Sequence, residues 1–335
     1  MVLHYSFVIP VYNRPDEIEE LLNSFLNQNT SLKFEIVIVE DGSDVSSESV
    51  VDDFSSRLNI AYFYKENSGP GDSRNYGMRK ATGNYFIILD SDCVLPSNYL
   101  NEVDASLKTA FVDCFGGPDA AERSFTSLQK AINFSMTSVL TTGGIRGSKH
   151  QVGKFQPRSF NMGLSKQAFE ASNGFGNIHP GEDPDLSIRL WHLGFETKLI
   201  PDAFVYHKRR ISWSKFYTQV YKFGLVRPIL NSWHPETAKL TYWFPTLFSV
   251  GLLVSVIVLL FQFKWFLFAY VLYFVLVFLL ALVSTKQIGV ACLAVWAILV
   301  QFFGYGYGFL KSYINIHLLK KDAEQVFPKL FFKSL

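Results

Sequence analysis

The segment YFIILDSDCVLP, residues 85–96, holds the residue types in this chain that are best suited to chemistry. An apolar, strand-like run ends on Asp90-Ser91-Asp92, so carboxylates stand at both ends of a short turn. Two carboxylates with this spacing can face one divalent cation, and hard oxygen ligands suit Mg²⁺ or Mn²⁺, which commonly also hold substrate phosphates. Strand ends in open α/β sheets are where such folds bind ligands. Asp90 and Asp92 are therefore candidate metal ligands, although a polar turn that merely closes a strand would carry the same pattern.

The elements that position this turn alternate between strand and helix patterns. Such alternation predicts a parallel sheet with right-handed crossovers. Because parallel strands end at one edge of a sheet, the loops that follow them should line one cleft. Strands are expected at 6–9, 35–39, 60–64 and 86–89, helices at 15–28 and 71–82, and cleft loops at Tyr12-Asn13, Asp41-Gly42, 67–71 and Asp90-Ser91-Asp92.

Less regular segments follow. Residues 141–153 are rich in Gly, Ser and Thr and indicate a mobile loop,. A helix is expected at 184–193 and short strands at 197–200 and 204–206. The stretch 213–223 mixes aromatic and basic residues at helical spacing, which fits either a membrane-surface helix or ordinary core packing.

The composition divides the chain. Of its 335 residues 49% are hydrophobic and 18% are charged, below the roughly 25% charged residues of soluble domains. Residues 1–240 resemble a soluble α/β protein, whereas 241–310 are almost free of charge. The formal net charge of +2 favours no acidic partner, and we expect no nucleic-acid partner.

Three apolar stretches, 241–263, 265–285 and 288–310, are long enough to span a bilayer,. Basic residues precede the first and follow the third. Three crossings would place the two basic groups on opposite sides, whereas the positive-inside rule would place both in the cytosol. Three crossings are the favoured arrangement, with a re-entrant or interfacial segment as the alternative.

Cellular location is read from the cysteines and the N-terminus. Cys93, Cys114 and Cys292 form no C-x-x-C pair, which fits a reducing compartment,. The first residues lack the basic, apolar and cleavage regions of a signal peptide. We expect a cytosolic catalytic domain at 1–230, a membrane domain at 231–312 and a basic and aromatic tail at 313–335.

Five motifs together resemble one family. Their order and spacing resemble the inverting family 2 glycosyltransferases of the membrane-anchored bacterial type. The resemblance covers about residues 4–230 and implies a GT-A fold, a Rossmann-like, mostly parallel sheet with flanking helices, here followed by C-terminal transmembrane helices. The motifs are SFVIPVYNR at 6–14, EIVIVEDGS at 35–43, NSGPGDSRNYG at 67–77, Asp90-Ser91-Asp92, and GEDPDLSIRL at 181–190.

The resemblance implies a nucleotide-binding role for several loops. It assigns Asp41 to the base, Gly69 and Arg74 to the nucleotide-sugar, and Asp90 to ribose or sugar. A glycine-rich helix start also attracts anions through its backbone N–H groups, although a plain loop is the simpler interpretation. The loop after the first strand contacts the nucleotide in the family, which implicates Pro10, Tyr12 and Asn13.

The resemblance also implies the metal and catalytic roles. Asp92 is expected to be the direct metal ligand beside Asp90, and His207 a third ligand, although a lone histidine is more often structural. An inverting transfer needs a carboxylate that accepts the proton of the acceptor hydroxyl. Asp183 is assigned as this base and Glu182 as the alternative, although acids in a first helical turn often only complement the helix dipole.

The predicted function is the transfer of a sugar from a UDP- or GDP-linked donor to a membrane-associated, lipid-linked saccharide acceptor in cell-envelope polysaccharide or glycan synthesis. The expected location is the inner membrane, with several crossings. The Q-x-x-R-W motif of related polymer synthases is incomplete around Gln219 and Arg227, which argues against processive synthesis. Transfer to polyprenyl phosphate and a non-catalytic nucleotide-binding membrane scaffold are the alternatives, and the sequence leaves the oligomeric state open.

Overall fold

The structure is a computed structural model that describes residues 2–120, 126–142, 154–207 and 212–332, with only the backbone at Thr142 and His207. Residues 143–153, which make up most of the predicted loop at 141–153, lie outside the described residues. The chain divides into two compact units, each taken by itself below. The first comprises Met1–Glu122, Gly153–Lys208 and Phe331–Leu335, and the second comprises Arg123–Val152 and Arg209–Leu330.

The first unit holds all ten strands of the described residues. Its first elements in chain order are β1 (Tyr5–Val11), α1 (Pro15–Leu26), β2 (Phe34–Asp41), α2 (Glu48–Phe54), β3 (Ile60–Lys65), α3 (Pro70–Lys80), β4 (Tyr85–Leu89), β5 (Cys93–Val94), α4 (Tyr99–Thr109), β6 (Cys114–Gly116) and β7 (Asp119–Ala120). Helices α5 (Ser127–Thr137) and α6 (Val139–Thr142) come next in the chain and belong to the second unit. The first unit then continues with β8 (Asn161–Ser165), α7 (Lys166–Ser172), α8 (Glu182–His192), β9 (Thr197–Leu199) and β10 (Val205–His207).

A seven-stranded sheet in the order β3-β2-β1-β4-β8-β6-β9 forms the centre of this unit. Strands β1 to β4 are parallel, as the alternating pattern predicted. Ile9, Ile38 and Ile87 are fully buried, which explains why these strands are apolar along their length: both faces of a helix-covered parallel sheet lie in the core. The predicted mostly parallel sheet with flanking helices is confirmed.

Strand β8 was not predicted. It lies between β4 and β6 and is antiparallel to both, and all five of its residues are buried. Its sequence, NMGLS, contains a glycine and two polar residues, so it lacks an apolar strand pattern. The Asn161 side chain accepts a hydrogen bond from the Tyr99 hydroxyl (2.6 Å) and donates to the carbonyl of Ala203 (2.8 Å), which satisfies this buried amide.

The second unit is helical. Three of its helices are long and apolar enough to cross a membrane, over Leu240–Leu259, Lys264–Thr285 and Ile288–Leu318. Helix α9 (Trp213–Trp233) continues ten residues beyond the predicted end at residue 223. Buried apolar residues, among them Ile229 and Leu230, continue along this added part. The elements are α5 (Ser127–Thr137), α6 (Val139–Thr142), α9 (Trp213–Trp233), α10 (Phe244–Leu259), α11 (Lys264–Thr285), α12 (Ile288–Tyr313) and α13 (Ala323–Val326).

The start of α9 is partly core. Phe216 and Val220 are buried and form a cluster with Ile132, Met136 and Ala297, whereas Tyr217 is exposed. Core packing therefore accounts for the apolar spacing on one face of this helix.

Glycines in α12 allow neighbouring helices to approach closely. A Cβ added at Gly304 would lie 2.7 Å from the Val220 side chain, and one at Gly308 would lie 2.4 Å from the carbonyl oxygen of Tyr221. Small residues at helix interfaces have this use in apolar helix bundles. These glycines therefore serve packing against α9, and α12 remains helical through Tyr313.

A test of the central sheet concerns Gly163 in β8. A Cβ at this position would lie 1.9 Å from a ring carbon of Phe115 on β6, so Gly163→Ala should lower the free energy of unfolding by about 1–3 kcal/mol through overpacking. Thermal unfolding of the full-length protein in detergent measures the effect. Gly289→Ala, where no atom lies within 4 Å of the added carbon, is the matched control. Equal melting temperatures for Gly163→Ala and the control would contradict the packing described.

Candidate active site

A cleft of about 370 Å³ opens where strands β1 to β4 end, a volume within the usual range of ligand pockets. It receives residues from the loops that follow β1, β3 and β4 and from the last residue of β2, Asp41. Of the residues singled out in the sequence, it is lined by Pro10, Tyr12, Asp41, Gly69, Arg74, Asp90 and Asp92.

Arg74 connects two of the sequence motifs. Its guanidinium donates through Nη2 to Asp90 Oδ1 at 2.8 Å and through Nη1 to Glu182 Oε1 at 3.1 Å. The side chains of Arg74 and Glu182 are each only 4% exposed, whereas that of Asp90 is 34% exposed. Burial alone would lower the pKa of Arg74, but the charges of Asp90 and Glu182 raise it. The planar guanidinium suits this double contact, since it presents several donors in a fixed fork.

The start of α8 carries two acids in different environments. Burial opposes ionisation of Glu182, but the adjacent His179 and Arg74 hold the pKa of this carboxyl below its usual range. Burial and the charge of Glu182 raise the pKa of Asp183 to about 6. Glu182 Oε2 and Asp183 Oδ1 are buried and have no hydrogen-bond partner among the described residues. Two neighbouring carboxyls with pKa values pushed apart can act as an ionised anchor and a proton acceptor.

The residue directly before these acids is a glycine in an unusual backbone conformation. Gly181 precedes α8 with φ +124°, a region that L side chains rarely adopt. The third acid of the first turn, Asp185, has another role: it accepts from Arg189 Nε at 2.9 Å, and Arg189 in turn donates to the carbonyls of Ser172 and Gly174. Asp185 therefore anchors α8 to the preceding turn.

Asp41 organises the glycine-rich loop. Its carboxylate accepts the backbone N–H groups of Ser68 and Gly69, both at 3.0 Å, and pairs with Lys65 Nζ at 2.6 Å. Asp41 is 4% exposed. These bonds fix the start of α3 and hold Gly69 at the cleft with φ +90°.

Asn13 is not among the residues that line the cleft. Its backbone N–H donates to Ser43 Oγ at 2.7 Å, and its side-chain oxygen accepts from the Val45 N–H at 3.0 Å. It thereby joins the loop after β1 to the loop after β2.

The Asp90-Ser91-Asp92 turn is held from two sides. Ser91 Oγ donates to Glu17 Oε2 of α1 at 2.9 Å, and the N–H of Cys93 donates to the carbonyl of Asp90 at 3.2 Å. Strand β5 begins at Cys93 and pairs with β10, where the backbone of His207 stands opposite Cys93. The side chain of His207 lies outside the described part of the chain.

The chemistry of the donor set at this turn fits a divalent cation. Asp90 and Asp92 present carboxylate oxygens to the same cleft, and oxygen ligands of this kind suit Mg²⁺ and Mn²⁺.

Sequence reasoning missed three residues that line the cleft: Glu17, His179 and Phe332. His179 Nδ1 lies 2.8 Å from Glu182 Oε1, and its position three residues before Glu182 was the available signal. Glu17 lies in the first turn of α1, where acids commonly complement the helix dipole, so its position in the sequence did not indicate a role at the cleft. Phe332 stands far from every motif, so no local pattern could identify it.

Parts of this chain are similar to known glycosyltransferases. Residues 6–169 match the family model described as Glycosyl transferase family 2. Poly(ribitol-phosphate) beta-N-acetylglucosaminyltransferase TarS of Staphylococcus aureus (strain Mu50) is 31% identical over 115 residues, 33% of this chain and 19% of that enzyme. Chondroitin synthase of Escherichia coli is 25% identical over 236 residues, 61% of this chain and 34% of that enzyme. The chain thus spans about a fifth to a third of these relatives.

Among solved structures, the mannosyltransferase PcManGT from Pyrobaculum calidifontis, in complex with GDP-Man and Mn²⁺, is similar with a TM-score of 0.57 at 16% identity, over 96% of this chain and 89% of that one. The likeness identifies the fold as GT-A. The match to the family 2 model covers just under half of the 335 residues of this chain.

The bridge at Arg74 can be tested through stability. Arg74→Met removes the guanidinium from the buried Glu182 and leaves it, among the residues that the structure describes, only His179 as a partner, and breaking a buried ion pair from one side destabilises by about 3–5 kcal/mol. Arg74→Lys retains the positive charge, but a single ammonium cannot bridge both carboxylates as the planar guanidinium does. This variant should therefore recover only part of the lost stability. Thermal unfolding in detergent at neutral pH is the measurement.

The matched control is Arg79→Met on the same helix, since its guanidinium is 53% exposed and lies 3.8 Å from Asp72. We expect a change near zero, as for most exposed pairs. An Arg74→Met protein as stable as the Arg79→Met protein would refute the bridging role.

Proposed function

We propose that this chain is an inverting glycosyltransferase that moves a sugar from a UDP- or GDP-linked donor to an acceptor at a membrane. The observation that carries the proposal is the Arg74 bridge, because it joins the Asp90-Ser91-Asp92 turn, which lines the cleft, to the Glu182-Asp183 helix start. A transferase needs a phosphate-binding end and a proton acceptor within reach of one substrate, and these two motifs supply them.

In the proposed reaction the acceptor hydroxyl oxygen attacks the anomeric carbon of the donor sugar. The bond from that carbon to the diphosphate oxygen breaks, and its electron pair leaves with the nucleoside diphosphate. Asp183 takes the proton of the attacking hydroxyl, as a general base. Because attack comes from the face opposite the leaving group, the anomeric configuration inverts.

The remaining residues bind and orient the donor. Asp41 and the glycine-rich loop that it holds at the start of α3 bind the nucleotide end, and the loop of Pro10, Tyr12 and Asn13 contacts it. Asp90 contacts ribose or sugar. Asp92, with Asp90 and His207, would hold Mg²⁺ or Mn²⁺, which neutralises charge on the departing diphosphate. PcManGT, solved with GDP-Man and Mn²⁺, supports this combination of nucleotide-sugar and cation.

The three span-length apolar helices support a membrane acceptor. A lipid-linked saccharide suits an enzyme confined to the same surface, and the basic, aromatic tail predicted at 313–335 begins where the last of the three long helices, α12, ends. The proposed arrangement places the catalytic unit in the cytosol and the apolar helices in the inner membrane, for synthesis of a cell-envelope polysaccharide or glycan. The names of two relatives, poly(ribitol-phosphate) beta-N-acetylglucosaminyltransferase TarS and chondroitin synthase, each refer to a polymer.

The direct test is release of nucleoside diphosphate from a panel of UDP- and GDP-sugars, with Mn²⁺ and bacterial membranes as the acceptor source. Asp183→Asn should lower turnover by about 10²–10⁴-fold, the contribution of a general base, while nucleoside diphosphate still binds. Asp185→Asn is the control, since Asp185 pairs with Arg189, and should retain most activity. Near-normal turnover of Asp183→Asn would remove Asp183 from the role.

The pH dependence offers a second test. A base must be deprotonated to act, so turnover should fall as the pH drops through the raised pKa of Asp183, about 6. The charge of Glu182 contributes to that rise, so Glu182→Gln should move the acid limb of the kcat/KM profile, which reports the free enzyme, to lower pH, whatever its effect on the maximal rate. The profile of Asp185→Asn should keep the wild-type midpoint. An unmoved or higher midpoint in Glu182→Gln would contradict the electrostatic coupling.

A further inference from the structure

The segment that follows the last helices in sequence returns to the first unit. Phe331 forms an antiparallel bridge with Ile178, and the N–H of Phe332 donates to the carbonyl of Asn177 at 2.9 Å. Residues 331 and 332 thus extend the backbone beside the turn that precedes α8. This pairing fixes the direction of the Phe332 side chain.

The Phe332 ring lies against two parts of the cleft. A Cβ added at Gly69 would be 2.3 Å from Cγ of the ring, so the aromatic ring occupies the space that any larger residue at 69 would need. On its other side the ring centroid is 6.1 Å from that of His179, with 58° between the planes. The ring therefore spans from the start of α3 to the residue that contacts Glu182.

We propose that Phe332 forms an aromatic wall of the donor site and packs against the glycosyl end of a bound nucleotide-sugar. The inference rests on the proposed function. Gly69 belongs to the loop proposed to hold the nucleotide, and His179 stands beside the acids proposed for catalysis, so the ring lies where the sugar passes between them. Aromatic rings present flat apolar faces, which match the C–H faces of a pyranose.

The ring forms a wall and does not close the cleft. It is half-buried, and about 370 Å³ of the cleft remains with the ring in place. Gly69 provides room for the ring without displacing the loop, because its φ of +90° and missing Cβ leave the space open.

Calorimetric binding to the full-length protein in detergent with Mn²⁺ tests the proposal. The probes are UDP and GDP alone, and UDP-GlcNAc and GDP-mannose. Phe332→Ala should weaken the nucleotide-sugar that the wild-type protein binds by about tenfold, as expected for the loss of a buried ring contact, and change the affinity for the matching nucleoside diphosphate less than twofold. Phe332→Trp should retain most of the affinity, and Phe332→Leu should lose much of it.

Phe111→Ala, which removes an exposed ring outside the cleft, is the matched control and should bind both probes as the wild type does. Thermal unfolding of each variant separates loss of contact from loss of fold. Three results for Phe332→Ala would overturn the inference while the proposed function stands. They are an unchanged affinity for the nucleotide-sugar, an equal loss of affinity for the nucleoside diphosphate and the nucleotide-sugar, and tighter binding, which is expected if the ring blocks the cleft. A wild-type protein that binds none of the four probes would overturn both.

Discussion

The candidate active site depends on the buried positive charge of Arg74. Arg74 lies on α3, yet its two carboxylate partners come from the turn after β4 and from the start of α8. An arginine buried to this degree needs its charge matched, and Glu182 and Asp90 supply the match from two different motifs. The shared guanidinium thus holds the predicted metal-binding turn near the predicted base.

Other bonds support this arrangement from farther away. Glu17 on α1 holds Ser91, and Asp41 holds the N–H groups at the start of α3. Each bond joins a loop after one strand to an element that another strand positions. The cleft is therefore cross-linked across the end of the sheet, which gives the side chains a geometry that loops alone would not maintain.

The parts predicted from the sequence are those governed by local rules. Apolar runs in the sequence predicted β1 to β4, and the long uncharged stretches predicted the three apolar helices to within a few residues. Strand β8 could not be predicted in the same way, because its burial results from pairing with β4 and β6 and its own residues are mixed in polarity. The sequence alone did not indicate the use of the glycines in the third apolar stretch, which in the structure allow close packing against α9. The acidic pairs were recognisable from spacing, but the contact of Phe332 with Gly69 links residues at opposite ends of the chain, and no periodicity encodes it.

The pairing order of the sheets has a consequence for biosynthesis. Strand β4 gains its second neighbour only when β8 has been made, β6 gains β9 later still, and β5 waits for β10. All of these strands precede the first span-length apolar helix in the chain, so the ribosome can release a complete sheet before that helix emerges. The bridge between Phe331 and Ile178 is different, since Phe331 follows all three span-length apolar helices in the chain. One edge of the cleft is thus finished only after these helices have been synthesised, so the site depends on a segment made later than its sheet.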